Sequence, residues 1–254
     1  MRLLLTNDDG AYAPGLKALH QALATEHEVW VVAPETEQSA VGHAITLADP
    51  IRVHPLTSES GMQGWAVTGT PADCVKLAVR QLLPQPVQMV ISGINQGANV
   101  GVNLLYSGTV SAATEGAILG LGAISVSLAT HHPADFSLAA RVTARLVAAW
   151  PGLSVPPGVS LNVNVPALAP GQVKGVRFTR QSTASMRETF LERRDPRGHV
   201  YYWQAGEEMS TEGDGHTDYP ALLEGYVTIT PVGHDLTHDA ALASLGRQNP
   251  DLGL

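Results

Sequence analysis

Short apolar runs alternate with helix-spaced apolar positions through the first half of the chain, and that alternation restricts the fold to parallel βαβ units. Leu3–Leu5 forms a first strand, Pro14 opens a segment in which Leu16, Leu19 and Leu23 recur at helical spacing, and Glu28–Ala33 forms a second strand closed by Pro34. The same pattern predicts strands at Ile51–His54, Trp65–Thr68, Val87–Ile91 and Ala123–Ala129. Helices are expected from Thr70-Pro71-Ala72-Asp73 onward, burying Val75, Ala78, Val79 and Leu82, over Thr109–Leu121 and over Asp135–Trp150. A Gly/Asn-rich loop is expected from Ser92 to Gly108. The fold class is therefore α/β, with helices packed on a mostly parallel sheet.

From Val159 the style changes. Ser160–Val165 and Val173–Thr179 are strand-like with no strong helical segment between them, and the sheet is expected to end there. Charges then cluster from Gln181 to Pro220, where Asp195-Pro196-Arg197-Gly198 supplies a turn between Phe190–Arg194 and Val200–Gln204. A protruding hairpin bearing Tyr201, Tyr202 and Trp203 is too apolar for solvent and is expected to pack against another subunit. Tyr226–Thr230 returns as a strand and Asp239–Leu245 forms a short terminal helix. This divides the chain into a core, residues 1–180, and a hairpin with C-terminal extension, residues 181–254, that partly returns to the core.

A length of 254 residues suffices to bury a core without staples, and the single Cys74 forms no intrachain disulfide and excludes the usual zinc patterns. With a net charge of −8 and no Lys/Arg run, the surface repels duplex nucleic acid. No stretch approaches the ~20 apolar residues of a membrane span. Met1–Leu5 reaches polar Thr6-Asn7-Asp8-Asp9 too soon for a signal-peptide core, so a cytoplasmic protein without membrane contact is expected.

Asn7-Asp8-Asp9-Gly10 stands at the carboxyl end of the first strand, where open α/β sheets place their ligand crevice. Adjacent carboxylates repel unless a cation neutralises them, and hard oxygen donors suit magnesium, manganese or calcium. A solvated, helix-capping turn is the alternative, and the tetrapeptide alone leaves both open. Ser39, in the loop after the second strand, offers a hydroxyl to metal or phosphate or is simply solvated; nearby His43 is better read as a hydrogen-bonded structural residue than as an acid or base. Ser92–Gly101 faces the same crevice, with Asn95 and Asn99 as neutral oxygen ligands and amide donors, or as parts of an ordinary glycine-rich crossover. It lacks the dinucleotide fingerprint. Ser107, Gly108 and Thr109 enter a helix rich in small residues, which makes either a phosphate seat or an ordinary N-cap, and Glu115 inside that helix is a supporting group or a buried ion-pair partner. All four segments converge on one sheet edge, which supplies a cation site and a dipolar cradle, the two halves of a phosphatase.

Through these segments the chain resembles the SurE family of metal-dependent nucleoside 5′/3′-monophosphate phosphatases. The carriers are Leu5–Gly10, Ala33-Pro34, Gln38-Ser39-Ala40, Thr68–Val75, Ser92–Asn99 and Tyr106–Val110, continued by Asp195–Gly198, Thr217-Asp218 and Gly225–Pro231. The resemblance implies a Rossmann-like, three-layer core whose hairpin and tail are exchanged in a homodimer or homotetramer. It implies one divalent ion per subunit, Mg2+ or Mn2+ with Ca2+ able to occupy the site, held by Asp8, Asp9, Ser39 and Asn95. Ser107, Gly108 and Thr109 would cradle the phosphate of a nucleoside monophosphate, and Asp8, Asp9 and Asn95 would serve catalysis. The competing expectation is a nucleotide- or sugar-phosphate-binding module that hydrolyses nothing.

Overall fold

The structure is a computed structural model that describes residues 1–57, 61–130, 132, 134–210 and 216–248. Its strands are β1 (Arg2–Thr6), β2 (Glu28–Pro34), β3 (Val53–Pro55), β4 (Gly64–Val67), β5 (Met89–Gln96), β6 (Gly122–Ala129), β7 (Val159–Pro166), β8 (Val176–Phe178), β9 (Met186–Arg194), β10 (Val200–Met209) and β11 (Val227–Gly233). The helices are α1 (Pro14–Leu23), α2 (Pro71–Leu77), α3 (Gly108–Ile118), α4 (Ser137–Ala149), α5 (Asp218–Leu223) and α6 (Asp239–Gln248). Nine strands form one sheet in the order β3-β4-β2-β1-β5-β6-β7-β11-β8. Strands β4, β2, β1, β5, β6 and β7 run parallel, as the alternating pattern requires.

Side-chain alternation along these strands explains the three layers. Leu3 and Leu5 of β1 pack with Leu16, Leu19 and Leu23 of α1 and Ala139, Ala140 and Val147 of α4 on one face. Leu4 packs with Cys74, Val75 and Ala78 beside α2 and with Ala112 of α3 on the other. Strand β1 is thus buried on both sides, and each of its leucines, fully excluded from solvent, contributes roughly 1.5–3 kcal/mol of burial. That holds the end of β1 rigidly. From β1 the chain winds one way through β2 to β4, then returns to β5 and winds the other way, so β1 and β5 meet at a topological switch point.

Three expectations change. The sheet does not end with the strand after Val173: β11 inserts between β7 and β8, antiparallel to the first and parallel to the second. Strand β5 does not stop at Ile91 but continues to Gln96, because Asn95 and Gln96 pair with Ser127 and Leu128 of β6 beyond an irregularity after Ser92. Backbone pairing there overrides the polar, glycine-rich composition that predicted a loop. Helix α2 ends at Leu77 and continues as a π-helical turn over Ala78–Leu82, in which Val79 and Leu82 are only partly buried. Helix α5, six residues long with Pro220 inside it, is too short to show helical spacing in the sequence.

The hairpin β9–β10 is longer than its sequence pattern suggested and forms a separate two-stranded sheet. Its turn is set by Asp195, whose carboxylate accepts from the Arg197 and His199 N–H groups at 2.8 and 2.9 Å. Tyr202 and Trp203 are 61% and 65% exposed in the single chain. Among the described residues no helix is long and apolar enough to cross a membrane.

Candidate functional site

At the switch point, the chain leaving β1 turns through Asn7-Asp8-Asp9-Gly10. Asn7 Nδ2 donates to the Gly10 carbonyl at 2.9 Å, and Gly10 takes φ +106°, a left-handed conformation that only glycine adopts without strain. The Ala11 N–H then bonds the Pro34 carbonyl at the end of β2, at 2.8 Å. The turn is therefore locked to the sheet rather than solvated: Asn7 and Asp8 are buried, and Asp9 is partly so.

Asp8 is gripped by the start of α3. The Thr109 N–H donates to Asp8 Oδ2 at 3.1 Å and the Thr109 hydroxyl to Asp8 Oδ1 at 2.5 Å. Gly108 permits this approach, since a Cβ there would lie 2.8 Å from Asp8 Cβ and 3.2 Å from Pro71 Cγ. Ser107 caps the helix, its hydroxyl accepting from the Val110 N–H at 3.1 Å. Thr109 thus directs both of its donors to a carboxylate. The positive end of the helix dipole points at the same place.

Electrostatically the crevice is unbalanced. Burial raises the Asp8 carboxyl above its ordinary range, only partly offset by the Thr109 bonds, and Glu37 raises it further. Burial pushes Asp9 up to about 7, with the Asp8 and Glu37 charges adding to the rise and a Gln96 backbone bond opposing it. Among the described residues, no ion pair involves Asp8, Asp9 or Glu37. Glu37 is a third carboxylate at the site that the sequence reading did not single out; its signal was its place two residues before Ser39.

The Ser39 loop is fastened at several points. Gln38 N–H bonds the Asp8 carbonyl at 2.8 Å, Gly42 N–H bonds the Tyr106 carbonyl at 2.9 Å, and Thr46 N–H bonds the Asp73 carboxylate at 3.1 Å. Between them His43 Nε2 lies 2.9 Å from Glu115 Oε2, and the Lys76 ammonium lies 3.0 Å from Glu115 Oε1. Burial acts to raise the Glu115 carboxyl, but its bonds to His43 and Lys76 outweigh it and the pKa falls below the ordinary value. His43 is therefore part of the fastening. Ser39 itself is exposed, with its hydroxyl donating to Glu37 Oε1 at 2.5 Å.

Asp8, Ser39, Asn95 and Ser107 all line one cavity of about 490 Å3, joined by Asn103 and Tyr106 from the following turn and by Glu188 and Gln204 from the hairpin. Asn95 Nδ2 donates to the Gly97 carbonyl at 2.9 Å, which leaves the amide oxygen free of that bond. Asn99 has a different task. Its N–H donates to Asn164 Oδ1 at 2.8 Å, its amide to Ser127 Oγ at 2.9 Å, and its carbonyl accepts from Asn162 and Asn164 at 2.8 and 2.9 Å. Those bonds fix the cavity floor to β6 and β7. Asn162 and Asn164 escaped the sequence reading, though two asparagines alternating on a strand otherwise fit for burial were the available signal. Asp218 enters the sequence reading only within the Thr217-Asp218 motif, without a role of its own. Buried at the start of α5, it accepts from the Gly101, Ser182 and Tyr219 N–H groups at 2.9, 2.9 and 2.8 Å.

Fold and site together define an α/β protein with a ligand crevice at the switch point of a doubly wound sheet. The comparisons with known proteins narrow this. The profile of the family described as survival protein SurE matches residues 3–188, and the chain belongs to that family. It is 52% identical over 249 residues to the 5′-nucleotidase SurE of Syntrophobacter fumaroxidans, covering 98% of this chain and 100% of that one. The 5′-nucleotidase SurE of Syntrophus aciditrophicus is 49% identical, with 96% and 92% covered. The crystal structure of the SurE protein from Aquifex aeolicus superposes with a TM-score of 0.85 at 38% identity, covering 98% of this chain and 100% of that one.

Proposed function

We propose that the chain is a divalent-metal-dependent phosphomonoesterase that hydrolyses nucleoside 5′- and 3′-monophosphates to nucleoside and inorganic phosphate. The name carried by its relatives supports the reaction class. The observation that carries the rest is the Asp8–Asp9 pair, buried and partly buried at the switch point with Glu37 nearby and no cationic side chain in an ion pair with any of them among the described residues.

The donor set fits a hard cation. Among the described residues, no cluster of three or more His, Cys, Asp and Glu side chains is arranged to hold a metal. An ion would therefore rest on two carboxylates, Asp8 and Asp9, completed by the neutral oxygens of Asn95 and Ser39, all of the type that magnesium, manganese and calcium take. Such an ion, when bound, supplies charge to neutralise phosphoryl oxygens and acidify a water. The chain does the positioning. Thr109 uses both donors to hold Asp8 in one orientation, so Asp8 serves as the fixed ligand. Asp9, which receives a Gln96 backbone bond, is the carboxylate assigned to accept the proton of the attacking water. Ser107 and the α3 dipole seat the phosphoryl oxygens.

Incubation with 5′-AMP and with 3′-AMP, each with Mn2+, Mg2+ or EDTA, tests this by measuring inorganic phosphate. Release from both substrates that stops with EDTA is expected. Absence of release under every condition leaves a nucleotide-binding protein and ends the enzyme reading.

A further inference from the structure

Two residues of the cavity wall come from outside the core. Glu188 of β9 and Gln204 of β10 line the same cavity as Asp8, Asn95 and Ser107. Antiparallel register places them together: Gln204 pairs with Phe190, and residues two apart on β9 share a face, so Glu188 and Gln204 project from one side of the hairpin. The base of that wall is tied down. Asp218 accepts from the N–H of Gly101, which lies in the chain between the cavity-lining Asn99 and Asn103, and from Ser182 N–H just before β9, and Gln181 Nε2 donates to the Gly101 carbonyl at 2.8 Å. The floor that carries Asn99 and Asn103 and the stem of the hairpin are thus one bonded unit.

Charge decides what Glu188 can meet. A carboxylate accepts hydrogen bonds and repels a phosphate dianion, so it does not serve the phosphate end of the cavity, where Ser107 and the start of α3 lie. A cavity of about 490 Å3 is also within the roughly 300–1,000 Å3 that holds a whole small ligand rather than a phosphoryl group alone. The neutral donors available on the remainder of a nucleoside monophosphate are the ribose hydroxyls and the base amino groups. We propose that the hairpin face carrying Glu188 is the wall that reads the nucleoside, with the Glu188 carboxylate accepting from the ribose hydroxyls and Gln204 flanking it. This rests on the nucleotidase reading and names a specificity residue for it.

The test compares 5′-AMP, 2′-deoxy-5′-AMP and p-nitrophenyl phosphate on the full-length protein and on Glu188→Ala and Glu188→Gln. In Glu188→Ala the ratio of kcat/KM for 5′-AMP to that for p-nitrophenyl phosphate falls by roughly tenfold, the size of one hydrogen bond to a charged group. The preference for 5′-AMP over its deoxy analogue shrinks in the same variant, and Glu188→Gln, which keeps one acceptor oxygen, lies between. Ratios within about twofold of wild type in both variants overturn the proposal. If the unaltered protein releases phosphate from nothing, the enzyme reading fails separately, and calorimetric binding of adenosine decides the wall: weaker binding in Glu188→Ala supports it, equal binding overturns it.

Discussion

Two regions of this molecule bury carboxylates and treat them in opposite ways. Glu115, inside α3, faces Lys76 at 3.0 Å and His43 at 2.9 Å, and its pKa is held below the ordinary value. Asp8, held against the start of the same helix, receives the Thr109 donors and its own backbone N–H but no ion pair among the described residues, stands next to Asp9 and near Glu37, and has its pKa raised. The first carboxylate is neutralised by the chain itself and fastens the Ser39 loop. The second is held in place but left short of positive charge. Burial alone therefore does not mark a site. Asp218 too is buried with no ion pair among the described residues, but three backbone N–H groups satisfy it. What sets the crevice apart is that Asp8 adjoins two further carboxylates, Asp9 and Glu37, whose mutual repulsion is costly until something outside the chain compensates it.

The comparison breaks most visibly at Asp8. Asp8→Asn keeps the size and one acceptor oxygen but removes the charge, and phosphate release is expected to fall by at least ~10²-fold, as for loss of a group that stabilises a transition state. Its metal-free urea midpoint is expected to stay the same or rise, since an uncompensated buried charge has gone. Glu115→Gln should do the reverse. It leaves Lys76 and His43 facing a neutral amide, which costs about 1–3 kcal/mol in urea unfolding, and the folded fraction keeps most of its turnover. If Asp8→Asn loses as much stability as Glu115→Gln, the two carboxylates are alike and the contrast is wrong.

Sequence legibility follows the same division. The alternation that predicted parallel βαβ units depends on local periodicity, so β1, α1, β2 and α4 were readable, and with them the position of Asp8 at the end of a strand. Glu115 was readable as a charge inside a helix, but its partners lie 72 and 39 residues away, and nothing local announces His43 or Lys76 as those partners. The strand character of Asn95 and Gln96 comes from β6 alongside, not from their own sequence. Insertion of β11 beside β7 is likewise long-range, and it carries Thr228 and Thr230 opposite Asn164 and Asn162 in a polar band that makes sense only once the sheet order is known. Sequence located the core strands but not all of their ends, and it could not assign the bonds made across the sheet.

The smallest effect is also the one whose sign is most specific. Asp9 has its carboxyl raised from 3.8 to about 7, so its protonated form is favoured in the folded protein. The stability it contributes is complete below the ordinary value and is lost as pH rises through about 7. Asp8, also raised, acts in the same direction, whereas Glu115, lowered, contributes above its ordinary value and loses that contribution as pH falls. In EDTA, the melting temperature should therefore drop by roughly 2–4 °C between about pH 5 and about pH 8. Asp9→Asn should flatten that slope while leaving the acid side, governed by Glu115, unchanged. Added Mn2+ should stabilise more at the higher pH, because the carboxylates must shed their protons to bind it. A wild-type slope that Asp9→Asn leaves intact would mean that Asp9 ionises freely in the fold, and the crevice would then differ from the Glu115 cluster only in its neighbours and not in its need for a cation.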